Sequence, residues 1–286
     1  MISMLTQAGS HATLAVHRAP QVYITGGKGG VGKSLIALNL ALELGARGLR
    51  VLLVDLDLSL SDQRSLLGIE ASASLEHYFC GEASLRDCLL SAGVNVELLA
   101  GANGNHSMAQ LSDRARARFL EDLACFGESY DLILCDGAAG IGADTLQFAA
   151  QADHVLLVTT PDPTALTDAY GLLKALHAIG ESGTREVPTP EVLVNLAGSV
   201  EEAHACARRL SSVAERFLAR SPKLAGWMPR SAALARSVRE HRPIGGSDRA
   251  PADAILPRSC LQSLAGRLER LCGRSPTAQG VGKKIR

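Results

Sequence analysis

Eight consecutive residues, Gly27-Lys28-Gly29-Gly30-Val31-Gly32-Lys33-Ser34, fit the pattern G-x-x-x-x-G-K-[ST], and they constrain this chain more than any other feature. They follow a short apolar run, Val22-Tyr23-Ile24-Thr25. They precede a segment from Ser34 to Leu44 that reads as a helix ended by Gly45 and Gly48. Strand, glycine loop and helix in that order form a phosphate cradle, which separates this run from an ordinary glycine-rich turn. Glycines let backbone N–H groups approach phosphate oxygens without side-chain clashes. The helix beginning near Lys33 aims its positive end at the anion. Lys33 reaches the β- and γ-phosphates of a nucleotide, and the Ser34 hydroxyl takes a place on Mg²⁺. The nucleotide-binding set is therefore expected to be Gly27 to Ser34 together with Leu35, holding a nucleoside triphosphate and Mg²⁺. Lys28 is a second cation inside the loop, beside several phosphate charges. It can neutralise charge that develops during transfer, as an arginine finger does.

The rest of the chain repeats the strand-then-helix alternation. Val51-Leu52-Leu53-Val54, with Asp55 and Asp57 at its end, reads as a second buried strand. Residues 60–92 read as short helices and turns, and 96–100 as a third strand. A helix of about 108–126 follows, then a strand at 132–135 that ends on Asp136, and a flexible loop from Gly137 to Gly142. Further strands are expected at 155–158, 192–194 and 224–228. Further helices are expected near 164–179, 200–219, 231–240 and 254–272. Such alternation predicts an α/β fold, a doubly wound, mostly parallel sheet with helices on both faces and the nucleotide at the carboxyl ends of the strands. Aromatic residues make up 3% of the chain, so Ala, Leu, Val and Gly must carry the core, as buried parallel strands allow. Three parts are expected: an extension over 1–20, one ATPase domain over 21–272 and a flexible tail over 273–286.

Formal net charge is zero, so no overall field draws the chain toward nucleic acid, and nucleic acid is not expected as a partner. The seven cysteines form no C-x-x-C pair and read as free thiols in a reducing compartment. No secretory signal and no apolar run of roughly 20 residues is present, which predicts a cytoplasmic protein. The histidines, among them His77, His154, His177 and His241, are scattered and suggest no metal centre. Cys135 sits inside an apolar run and reads as core packing.

Lys28-Gly29-Gly30-Val31-Gly32-Lys33-Ser34 resembles the deviant Walker A motif of the MinD/ParA ATPases. Four more segments match in order and spacing. Val51 to Leu58 resembles the family's second motif, and Tyr130 to Ile141 resembles its Walker B and switch II segment. Leu193-Val194-Asn195 and Met228-Pro229-Arg230 resemble its base-recognition positions. The resemblance spans about residues 20–245. Asp136-Gly137-Ala138-Ala139-Gly140-Ile141 and the run from Thr160 to Tyr170 look like the FlhG type, regulators of flagellar number and placement.

This resemblance implies roles. Lys28 crosses an ATP-sandwiched homodimer interface to the partner's nucleotide. Asp57 positions the attacking water. Asp136 holds the Mg²⁺ shell with support from Asp55. Asn195 reads the adenine edge beside Pro229 and Arg230, and Gly140 lets switch II move with the γ-phosphate. It also implies slow hydrolysis, a regulatory partner such as a flagellar GTPase or a basal-body component, and contact with the membrane surface. Three departures stand out. Ser59-Leu60-Ser61-Asp62 replaces the usual Gly-Leu-Ala-Asn continuation, and Gly137 stands where Thr or Ser is common. Only Gln7-Ala8, after Thr6, remains of the Asp-Gln-Ala with which FlhG-type proteins often start, a departure that bears on stimulation of a GTPase partner.

Leu256, Cys260, Leu261, Leu264, Leu268 and Leu271 form one helical stripe. It reads either as a closing helix packed on the sheet or as a membrane-surface helix, with the basic tail Lys283-Lys284-Ile285-Arg286 as a possible aid. Three functions stay open on sequence: a flagellar regulator, a division-site or chromosome-partition ATPase, and a scaffold that holds ATP with negligible hydrolysis.

Overall fold

The computed structural model describes residues 18–58, 62–102, 111–183, 186–247 and 251–273. Its strands are β1 (Gln21–Gly26), β2 (Val51–Leu56), β3 (Leu89–Gly93), β4 (Val96–Leu99), β5 (Leu132–Ala139), β6 (His154–Thr159), β7 (Glu191–Ala197) and β8 (Leu224–Pro229). They form one sheet in the order β3-β4-β2-β5-β1-β6-β7-β8, parallel throughout except that β3 runs antiparallel to β4. The helices are α1 (Lys33–Ala46), α2 (Gln63–Leu67), α3 (Leu75–Cys80), α4 (Asp113–Phe126) and α5 (Ala143–Gln151). After them come α6 (Pro163–Ser182), α7 (Val200–Leu218), α8 (Ala232–Arg239) and α9 (Ile255–Glu269).

Successive side chains of a strand point to opposite faces, so a strand buried on both sides feeds two cores. Val22, Ile24, Leu53 and Leu134 pack with Leu40, Leu44, Leu261 and Leu264 from α1 and α9. Tyr23, Leu52, Val54 and Ile133 face the other way, onto Phe119, Phe148, Leu172 and Leu210 from α4 to α7. The expected doubly wound sheet is therefore present. Truncating a fully buried leucine such as Leu53 or Leu134 to alanine costs about 2–5 kcal/mol.

Two sequence expectations change. Residues 89–93, expected as helix or turn, are the edge strand β3. This strand is short and half-exposed, so it lacks the apolar run that marks the central strands. Its partner is β4, across the two-residue link Val94-Asn95. There Asn95 adopts a φ of 57°, which asparagine tolerates better than most residues. The helix expected from about 108 starts at Asp113, because the Ser112 hydroxyl accepts the Ala115 N–H and caps it. Residues 103–110 lie outside the described residues, as do the sequence readings on Gln7-Ala8, Ser59-Leu60-Ser61 and the basic tail.

The stripe of α9 packs onto the sheet. Leu261, Leu264, Ala265 and Leu268 are buried, while Leu256 is exposed. Arg47, at the C-cap of α1, ties the helix down through Glu269 at 3.1 Å and the Gln262 carbonyl at 2.8 Å. Those leucines serve as closing contacts and are not presented to a membrane surface. Among the described residues no helix is long and apolar enough to cross a membrane.

Candidate nucleotide site

The glycine loop joins β1 to α1 at the carboxyl edge of the sheet. Gly32 caps α1 with a φ of 91°, in the left-handed region. A Cβ there would lie 2.4 Å from the Asn195 amide nitrogen. At Gly27 the constraint is packing, since a Cβ would lie 2.2 Å from the Asp168 carbonyl of α6. Gly29 and Gly30 face open space, where backbone amides are accessible to an anion. Lys33 is buried at the first position of α1, and Leu35 follows one residue after Ser34.

Beside the loop, neighbouring strands deliver two carboxylates. Asp55 of β2 and Asp136 of β5 are register partners, and neither is exposed at all. Asp55 accepts the N–H of Asp57 at 3.2 Å through one oxygen and the N–H of Gln63 at 3.3 Å through the other. Asp55 thereby holds the backbone at Asp57 and at Gln63. Asp136 Oδ2 accepts from the Gln63 side-chain amide at 2.8 Å, and the same nitrogen donates to the Ser34 carbonyl at 3.0 Å. Asp136 Oδ1 is buried and has no hydrogen-bond partner. Burial pushes the Asp136 carboxyl up to about 6, against the pull of Gln63, Ser34 and Lys33. A buried, unsatisfied carboxylate oxygen is costly unless a donor or a cation meets it. With the Ser34 hydroxyl one residue along from Lys33, this oxygen-rich donor set fits a hard cation such as Mg²⁺.

Gln63 did not emerge from the sequence. No motif marks it, and only the return of α2 toward β5 brings it between Ser34 and Asp136. Asp62, the departure beside it, feels burial and Asp57, both of which raise its carboxyl.

Lys28 leaves the loop sideways. Its ammonium donates to the Thr164 hydroxyl at 2.7 Å and lies 3.7 Å from Asp162. Asp162 caps α6 by accepting the Ala165 N–H at 2.9 Å. The Thr160 and Thr164 hydroxyls and this N–H hold its carboxyl well below the usual range. Gly140 follows β5 with a φ of 88°, and its N–H donates to the Gly26 carbonyl at 2.9 Å, so the expected switch segment touches the base of the phosphate loop.

At the other end of the site lies a mostly apolar pocket of about 300 Å³, lined by Leu35, Ile36, Asn195, Met228, Arg230 and Leu234 among others. Asn195 donates to the Val31 carbonyl at 2.8 Å and accepts the Leu196 N–H at 2.9 Å. It therefore braces the phosphate loop, a role not foreseen from its position. Pro229 ends β8, and the Arg230 N–H donates to the Ala197 carbonyl at 3.1 Å. A second cleft, of about 520 Å³, runs from Lys28 to Arg230 along Gly29, Gly30 and Thr160. The residues singled out from sequence thus gather around one line: phosphate loop and carboxylates at one end, the apolar pocket beside Asn195 and Arg230 at the other. A larger groove, of about 1140 Å³, lies at the amino-terminal edge of the strands against Arg50, Asn95 and Tyr130, and holds none of them.

Cys135 is buried in β5, and burial pushes its thiol up to about 12. Among the described residues no group of three or more His, Cys, Asp or Glu side chains is arranged as a metal centre of its own.

The model of the CobQ/CobB/MinD/ParA nucleotide binding domain matches residues 22–244. The antiactivator FleN of Pseudomonas aeruginosa is 34% identical over 230 residues, which cover 80% of this chain and 80% of that protein. The flagellum site-determining protein YlxH of Helicobacter pylori is 34% identical over 224 residues, 77% of this chain and 73% of that protein. Among solved structures, the septum site-determining protein MinD complexed with Mg-ADP from Pyrococcus horikoshii OT3 superposes with a TM-score of 0.69 at 22% identity. That superposition covers 89% of this chain and 98% of the other.

Proposed function

Because the chain belongs to the CobQ/CobB/MinD/ParA nucleotide-binding family, we propose that it is a slow Mg²⁺-dependent ATPase. In this reading it acts as a nucleotide-switched homodimer that regulates flagellar number or placement. The observation that carries the chemistry is the pairing of Asp55 and Asp136 on adjacent strands, with Asp136 Oδ1 buried and unpartnered beside the Ser34–Gln63 link. The names of FleN and YlxH carry the flagellar part, ahead of a division-site or partition role.

In this mechanism the amides of Gly29 to Lys33 and the ammonium of Lys33 hold the β- and γ-phosphates. Ser34, Asp136 and Asp55 would hold a Mg²⁺ ion, which would supply positive charge to offset the charge that builds up on the phosphates in the transition state. Asp57 orients a water in line with the γ-phosphorus. The water oxygen bonds to phosphorus as the β–γ bridging bond breaks, leaving ADP and phosphate. Lys28 of each protomer completes the partner's site, so hydrolysis waits on association and on a protein partner. Gly140 gives the switch segment the freedom to follow the γ-phosphate. Asn195, Pro229 and Arg230 seat the base.

Size-exclusion chromatography with light scattering tests the switch. A dimer with ATP alone, and a monomer with ADP or no nucleotide, is the expected result. A monomer in all three conditions overturns it. Flagella counted on cells lacking the gene test the biological role: an altered number or placement is expected, and an unchanged pattern removes that role.

A further inference from the structure

We propose that Gln63 is a positioning residue of the cation site. Its side-chain N–H groups fix Asp136, and its carbonyl oxygen accepts a hydrogen bond from the hydration shell of the ion. This inference rests on the Mg²⁺–ATP reading above.

Gln63 is the first residue of α2 and is completely buried. Its one side-chain nitrogen serves two elements, the Ser34 carbonyl on α1 at 3.0 Å and Asp136 Oδ2 on β5 at 2.8 Å. Both are acceptors, and this sets which way the amide faces: turned over, its oxygen would oppose two oxygens. The Gln63 carbonyl oxygen is left buried with no hydrogen-bond partner. Asp136 Oδ1 is in the same condition, so two side chains joined by one hydrogen bond each keep an unmet acceptor. Unmet buried acceptors call for donors. The hydration shell of a cation at Ser34 and Asp136 is a source of such donors.

The residue type matters. A glutamate would lose the N–H donors and set a second negative charge against Asp136. An apolar side chain would neither hold Asp136 nor accept a hydrogen bond. Gln63 also has a backbone role, since its N–H donates to Asp55.

The test uses the full chain with ADP and Mn²⁺ as the probe ion, followed by electron paramagnetic resonance of the free ion. Gln63→Met keeps chain length and volume. Gln63→Asn keeps the amide but is one methylene too short for both contacts. Both variants are expected to weaken Mn²⁺ binding to the ADP complex by about 10- to 100-fold, while ADP affinity in EDTA changes by no more than about twofold. A thermal melt identifies which variants fold. Either folded variant that binds Mn²⁺ as the parent does overturns the role of Gln63. A parent protein that binds no Mn²⁺ with ADP overturns the Mg²⁺–ATP reading itself, which separates the two failures.

Discussion

The Lys28 ammonium donates a 2.7 Å hydrogen bond to the Thr164 hydroxyl of its own chain, with Asp162 3.7 Å away. A cation of the phosphate loop is thus parked on the first turn of α6. Lys28 and Asp162 are each about half exposed, and exposed pairs of this kind contribute only about 0–1 kcal/mol. In the proposed dimer, a nucleotide on a facing protomer would outcompete them. Lys28→Ala is expected to abolish the ATP-dependent dimer while leaving ATP binding. Asp162→Asn keeps the helix cap but removes the negative charge, so the dimer should form at lower protein concentration. Light scattering against concentration reads both. A Lys28→Ala protein that still dimerises with ATP would remove the role of this lysine.

Asp57 hangs on Asp55 through its backbone N–H, at the carboxyl end of β2. Asp57→Ala is expected to lower hydrolysis by about 100-fold or more, the usual range for loss of a group that orients or deprotonates the nucleophile. ATP affinity should be retained. Phosphate release and equilibrium binding, measured together, check this. An unchanged turnover number contradicts it and points to a scaffold.

Gly137, one of the departures from the resembling family's motif, has a structural reason here. A Cβ at residue 137 would lie 2.3 Å from the ring carbon Cζ and from the hydroxyl of Tyr23. Tyr23 is fully buried on β1 and fills the space that a residue-137 side chain would need. Restoring the commoner residue as Gly137→Ser overpacks the core and should destabilise the protein by about 1–3 kcal/mol. Combining it with Tyr23→Leu should recover part of that loss. Denaturant unfolding of the single and double variants measures the coupling, and additive losses would contradict the steric account.

Asn195 braces the phosphate loop through the Val31 carbonyl, and its amide nitrogen sits where a side chain at residue 32 would be. Asn195→Ala removes this brace and is expected to weaken ATP binding by about 10-fold, the scale of one hydrogen bond. Calorimetry with ATP and with GTP separates loop bracing from base reading. Equal losses for both nucleotides favour bracing, and a loss confined to ATP favours recognition of adenine.

The phosphate loop, the central strands and the carboxylates Asp55 and Asp136 are legible in the sequence because local pattern determines them. Glycine spacing, apolar runs and an acid at a strand end all lie within a few residues. β3 is not legible, since a half-exposed edge strand takes its identity from pairing with β4. Gln63 is hidden for a similar reason. Its meaning comes from Ser34 and Asp136, 29 and 73 residues away in sequence. The Lys28–Thr164 contact and the packing of Tyr23 on Gly137 are likewise products of the sheet order, which places β6 and β5 on either side of β1.

Calorimetric titration of ATP into the purified chain, with magnesium present, tests the central assignment most directly. One ATP per chain, with binding strongly reduced in Lys33→Ala, is the expected result. No heat and no binding at any accessible concentration would contradict it.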